Sequence, residues 1–220
     1  MAVKSSFKNM TLCLLAICLV CSSLLAGVYA LTKDPILKAA NEKNEKAIKE
    51  VLPEIDGMDI KAEKTVEYEG QMYAYNLAFD ADSTEVGCAI NVSAAGGFGG
   101  PILMKVGFDS DGVIWNVKVL SHSETPGLGA KCVEPDFTEQ FQGFNPAAGK
   151  LLLKKDHLEG EINAITASTI TSRAYTSGVA LAAQVYYTIH PDKDASVQMD
   201  AATGASSGDW KKDESSESNE

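Results

Sequence analysis

The chain has 220 residues, 45% of them apolar, enough for one sizeable domain with its own core plus extensions. A formal net charge of −11 excludes a nucleic-acid binder, because a phosphate backbone demands a basic surface. Three scattered histidines (His122, His157 and His190) and the absence of a cysteine cluster leave a metal site without support.

Residues 11–31 carry no charge over 21 positions, long enough for a membrane-spanning helix. Lys4 and Lys8 precede the run, so residues 1–10 are expected to stay cytoplasmic while the bulk emerges on the far side. The competing reading is a cleaved signal peptide with Val28-Tyr29-Ala30 as its small-residue site. The run exceeds the roughly 7–15 residues of a signal core, which favours an uncleaved anchor. A lipoprotein reading through Cys18 or Cys21 lacks the small residue expected before the modified cysteine. Cys13, Cys18 and Cys21 read as small apolar residues within the span. Cys88 and Cys132 lie outside it, and spacing alone leaves open whether they pair.

Residues 34–52 read as a helix capped by Asp34, with Pro35 in the first turn and Pro53 at its end. It makes residues 32–60 a connecting segment. A domain over residues 61–190 follows. Strands are expected at 65–68, 72–79, 86–94, 102–108 and 113–120, with turns at Glu69-Gly70-Gln71 and Asp109-Ser110-Asp111-Gly112. Two glycine-bearing loops separate or follow them. One is Ala94-Ala95-Gly96-Gly97-Phe98-Gly99-Gly100-Pro101, which lacks the third glycine and the helix of a dinucleotide fingerprint. The other runs from Ser121 through Glu124, Thr125, Pro126, Gly127 and Leu128 to Gly129. A short helix at 134–142 and a strand at 150–155 complete this stretch. Residues 191–220, rich in Ser, Asp, Glu and Gly, are expected to be a disordered acidic tail. The Gly204-Ala205-Ser206-Ser207-Gly208 run formally matches a hydrolase pattern. It is rejected because no strand-to-helix turn frames it.

Five of the seven residues from 166 to 172 carry a hydroxyl: Thr166, Ser168, Thr169, Thr171 and Ser172. They stand where the final helix is expected to begin, before an apolar-faced stretch that ends ahead of Pro191. A helix N-terminus offers unpaired N–H groups and the positive end of a dipole, which suits a phosphate. Ordinary capping explains one or two of these hydroxyls, but not all five. Glu124 reads equally as a turn carboxylate and as a group that orients a ligand.

The ETPGLG run, residues 124–129, together with the NAITASTITS run, residues 163–172, resembles the FMN-binding domain of Rnf-type electron-transport complexes, above all their G subunit. The C subunit of the sodium-translocating NADH:quinone oxidoreductase is a related, usually longer relative. The resemblance covers all but the acidic tail. It implies an α+β fold in which an N-terminal transmembrane helix precedes a single FMN-binding domain of twisted β-strands with packed helices. It also implies an electron-transfer component of an oxidoreductase and ion translocase rather than a stand-alone enzyme. The expected location is the cytoplasmic membrane, single-pass, with the soluble domain on the periplasmic side.

By the same resemblance, FMN is joined through its phosphate to a threonine, here Thr169, by a flavin transferase. Other membrane subunits of the complex are its partners. Thr166, Ser168, Thr171 and Ser172 flank the attachment point, and Glu124, Thr125, Gly127, Leu128 and Gly129 form the facing loop. Three positions depart from the family pattern: Asn163 stands for Asp, Ala167 for Gly and Ser168 for Ala. The alternatives are a structural or assembly subunit that has lost its flavin, which these departures make credible, and a membrane-anchored module that holds FMN without a covalent bond.

Overall fold

A computed structural model of the chain describes residues 7–55 and 57–192. The expected disordered tail falls, from residue 193 onward, outside the described residues. The chain divides into two compact units, residues 1–46 and 47–220. The first is dominated by α1 (Phe7–Val51), the one helix among the described residues long and apolar enough to cross a membrane. The sequence predicts a separate helix starting at Asp34, but α1 runs on through Pro35. Proline lacks the N–H that would bond the carbonyl one turn earlier, at Leu31. Helix-favouring residues on both sides, including Leu25, Ala26 and Leu31 before it and Ala39 and Ala40 after, carry the helix past that single lost bond.

The second unit is built on an antiparallel sheet. Its strands are β1 (Asp59–Ile60), β2 (Lys64–Tyr68), β3 (Gln71–Phe79), β4 (Glu85–Ala94), β5 (Ile102–Asp109) and β6 (Ile114–Ser121). The order is β1-β3-β4-β5-β6, with β2 also paired to β3. Alternation along β5 explains the two faces. Ile102, Met104, Val106 and Phe108 pack in the main core, which also receives Ala174, Tyr175, Val179, Ala182 and Tyr186 from the final helix, Thr169–Ile189. Gly178 lets this helix lie close, since a Cβ there would come within 2.5 Å of Ala94 Cβ. The fold is therefore α+β, with one long helix across an antiparallel sheet.

The other face of the sheet holds a smaller core of Ile48, Val51, Leu52, Ala78 and Ala89. Lys105 belongs to this face and is wholly buried, its Nζ 3.4 Å from Asn76 Oδ1. Burial pushes its pKa down to about 8, while Glu63 and Cys88 pull it up.

Two expected elements differ. Residues 150–155 form no strand; Leu153 makes an isolated parallel bridge with Ile162, and Lys154 N–H donates to the Ile162 carbonyl at 2.9 Å. The apolar run there reflects Leu151 and Leu153 plugging the core, not a ladder. The helix expected at 134–142 is split into α2 (Pro135–Thr138) and a 3₁₀ turn, Glu139–Phe141, which deliver Phe137 and Phe141 against Tyr175. The final helix, α3, follows at Thr169–Ile189. Cys88 and Cys132 are both buried and not joined to each other.

Lys105 makes stability depend on pH. The folded chain releases this proton near pH 8, whereas the unfolded chain keeps it to about 10.5, so stability rises with pH between those values. Chemical denaturation should show a gain of about 2 kcal/mol from pH 7.5 to 9.5, and Lys105→Met should abolish that slope.

Candidate functional site

The β4–β5 loop and the loop after β6 leave the sheet at the same end, because Ala94 pairs with Ile102 and Leu103 with Ser121. The N-terminus of α3 arrives at this end too. Glu124 binds the three segments together. Its carboxylate is buried; Oε1 accepts the Gly99 N–H at 3.1 Å and Oε2 accepts the Thr171 hydroxyl at 2.8 Å. The Glu124 N–H donates to His122 Nδ1 at 3.2 Å. Glycines are needed around this carboxylate. A Cβ at Gly129 would strike Glu124 Oε2 and Thr171 Oγ1, and one at Gly97 would strike Glu124 Oε1 and the Gly100 carbonyl. Glu124 is thus a structural tie, and its two oxygens are already engaged. Cys132 sits just behind; burial, and then the Glu124 charge, push its thiol up to about 11, so it stays protonated.

Over this tie lies a cleft of about 350 Å³ lined on one side by Phe98, Thr125, Leu128 and Gly129. The opposite side is residues 167–171, the turn into α3 and its first turn. Of the hydroxyl cluster, Ser168, Thr169 and Thr171 reach the cleft, whereas Thr166 and Ser172 do not. Ser172 is buried and internal: its Oγ donates to the Ser168 carbonyl and accepts the Ile165 N–H, each at 2.9 Å. Ser168 occupies the N-cap position but does not cap through its side chain. Gly127 shapes its loop at φ +77° without lining the cleft.

Ala167 adopts φ +61°, the left-handed region. The backbone here demands what glycine does freely, and this chain meets the demand with alanine at a cost of about 1 kcal/mol. Asn163 stands apart from the cleft: its backbone and side-chain N–H groups both donate to Gln140 Oε1, at 2.8 and 3.0 Å. A carboxylate at that position could not make the second bond.

Sequence reading missed Lys155. Its Nζ donates to Thr169 Oγ1 at 2.9 Å. Next to it, Asp156 accepts two hydrogen bonds from Arg173, at 2.7 and 2.6 Å, and these hold its carboxyl below the ordinary value. Nothing in the local spacing marks the lysine contact, because it depends on how the 150–162 segment folds back.

The cleft is two-natured. Phe98, Leu128 and Ile170 expose apolar surface at its rim. The α3 end presents a threonine hydroxyl, an ammonium group and the first-turn N–H groups, which have no intrahelical partners. A ligand with a flat apolar ring and an anionic tail fits this division.

Comparison with known proteins agrees. Residues 97–184 match the FMN-binding domain family, and residues 1–51 match the RnfG N-terminal region. The G subunit of an ion-translocating oxidoreductase complex of Methanosarcina acetivorans is 32% identical over 157 residues, 70% of this chain and 81% of that one. The chain belongs to the G-subunit family of ion-translocating oxidoreductase complexes. The G subunit of the Na(+)-translocating ferredoxin:NAD(+) oxidoreductase complex of Acetobacterium woodii is 40% identical over 103 residues. That match spans 46% of this chain and about half, 49%, of the relative. The C subunit of the Na(+)-translocating NADH-quinone reductase from Parabacteroides distasonis overlays with a TM-score of 0.45 at 20% identity, over 67% of this chain and 81% of that one.

Two substitutions test the site's construction. Ala167→Gly should raise the melting temperature by roughly 1–2 °C, because relief of the left-handed strain slightly exceeds the added freedom of the unfolded chain. Glu124→Ala, which strands the Gly99 N–H and Thr171 hydroxyl, should cost about 3 kcal/mol in a denaturant titration, and Glu124→Gln less.

Proposed function

We propose that this family member is a single-span flavoprotein component of an Rnf-type complex, with FMN joined to Thr169 by a phosphoester bond. The sheet domain would lie on the extracytoplasmic side, following the lysines at 4 and 8. The observation that carries the reading is the position of Thr169. It is the first residue of α3, it lines the cleft, and its hydroxyl already contacts a cation. No other hydroxyl of the cluster combines the three.

In forming the linkage, the Thr169 Oγ1–H bond gives way to an Oγ1–P bond, and the proton leaves with the group displaced from phosphorus. An activated flavin nucleotide and a flavin transferase are therefore required. The resulting diester would keep one negative charge, which the first-turn N–H groups of α3 would stabilise. Thr171 and Glu124 hold that turn against the facing loop, while Phe98, Leu128 and Ile170 offer apolar contact for the ring. Flavin held here would supply the redox chemistry for electron transfer within the complex, and these residues would retain and orient it. Covalent attachment retains the group outside the cytoplasm, where a dissociated one would be lost.

Co-expression with a flavin transferase should give a band on a denaturing gel that fluoresces under ultraviolet light, and Thr169→Ala should remove it. A dark wild-type band would refute covalent attachment and leave a flavin-free or non-covalently loaded domain.

A further inference from the structure

The cleft poses an electrostatic problem for any anionic ligand. The chain carries a net charge of −11, and the buried carboxylate of Glu124 lines the same cavity. A phosphoryl group brought to Thr169 needs a local positive charge, since two like charges in a partly dry cleft repel strongly. Among the residues contacting Thr169, Lys155 supplies it, and the fold holds this lysine in place by a separate device. Asp156, its neighbour, is gripped by the Arg173 fork, and Arg173 stands one helical turn after Thr169 on α3. The fork pins the 154–156 turn to the start of the helix and neutralises the adjacent carboxylate. The ammonium of Lys155 is left directed at Thr169 Oγ1.

We propose that Lys155 is the positioning residue that recognises the phosphoryl group delivered to Thr169 and pairs with the ester once formed. This rests on Thr169 being the acceptor. An ammonium group has three donors, and one of them is directed at Oγ1. The other two can meet the non-bridging oxygens of a phosphoryl group bonded to that oxygen. Lys155 is not the base that removes the hydroxyl proton; it contributes charge and placement.

The test is the initial rate of flavinylation of the full-length, detergent-solubilised chain by a flavin transferase, with flavin adenine dinucleotide as donor, read by in-gel fluorescence. Lys155→Gln should lower the rate about tenfold or more with an unchanged melting temperature, and Lys155→Arg should recover it to within roughly threefold of wild type. The wild-type rate should fall as salt is raised, and the Lys155→Gln rate should respond much less. Lys155→Gln modified at the wild-type rate with the wild-type salt response, alongside a dark Thr169→Ala chain, would overturn the role of the lysine alone. Fluorescence persisting in Thr169→Ala would overturn the acceptor assignment and this proposal with it.

Discussion

The site depends on a buried carboxylate whose two oxygens reach different parts of the chain. Glu124 accepts from the Gly99 amide on one side and the Thr171 hydroxyl on the other. The β4–β5 loop, the loop after β6 and the first turn of α3 are thereby fixed to one another. A buried anion is costly unless its lone pairs are satisfied, and leaving it half satisfied is worse than having none. This explains the glycines at 97 and 129, where any side chain would collide with the carboxylate or its partner. The cleft above Glu124 exists because that tie holds two loops and a helix end at fixed separation.

The same constraint accounts for the strain at Ala167. Thr171 must meet Glu124, and Ser172 must bond back to the Ser168 carbonyl and the Ile165 amide. The chain entering α3 therefore turns sharply, and residue 167 takes the left-handed conformation whether or not glycine is present. Alanine holds this geometry at a cost that is felt as stability. Asn163 is likewise engaged locally, through Gln140, away from the cleft. With Asn163, Ala167 and Ser168 in place, Thr169 still lines the cavity.

Much of this architecture is legible in the sequence. The strands between 64 and 121 are marked by β-branched and aromatic runs separated by Asp-Gly and Glu-Gly turns, and Asp109 Oδ1 indeed accepts the N–H groups of Asp111 and Val113, at 2.9 Å each. The start of α3 at Thr169 is visible as a hydroxyl cluster before an apolar helical face. The misreadings share a cause. At 150–155, three consecutive leucines report burial without revealing that the backbone pairs with Ile162 instead of a sheet edge. At Pro35, a start signal is outweighed by the helix-forming residues around it. Lys105 and Lys155 look like ordinary surface lysines. One is buried by the sheet, the other recruited by a loop that folds back, and both outcomes depend on tertiary contacts that no local window contains.

A chain of this family presents a cleft with a threonine hydroxyl at a helix start and a lysine ammonium beside it. The most direct test is peptide mass spectrometry of the flavinylated chain after trypsin, which releases residues 156–173 as one fragment carrying the whole hydroxyl cluster. The account predicts the mass of FMN less one water on that fragment, with fragmentation placing it on Thr169. The same increment on Ser168 or Thr166, or an unmodified fragment from a chain exposed to an active transferase, would contradict it.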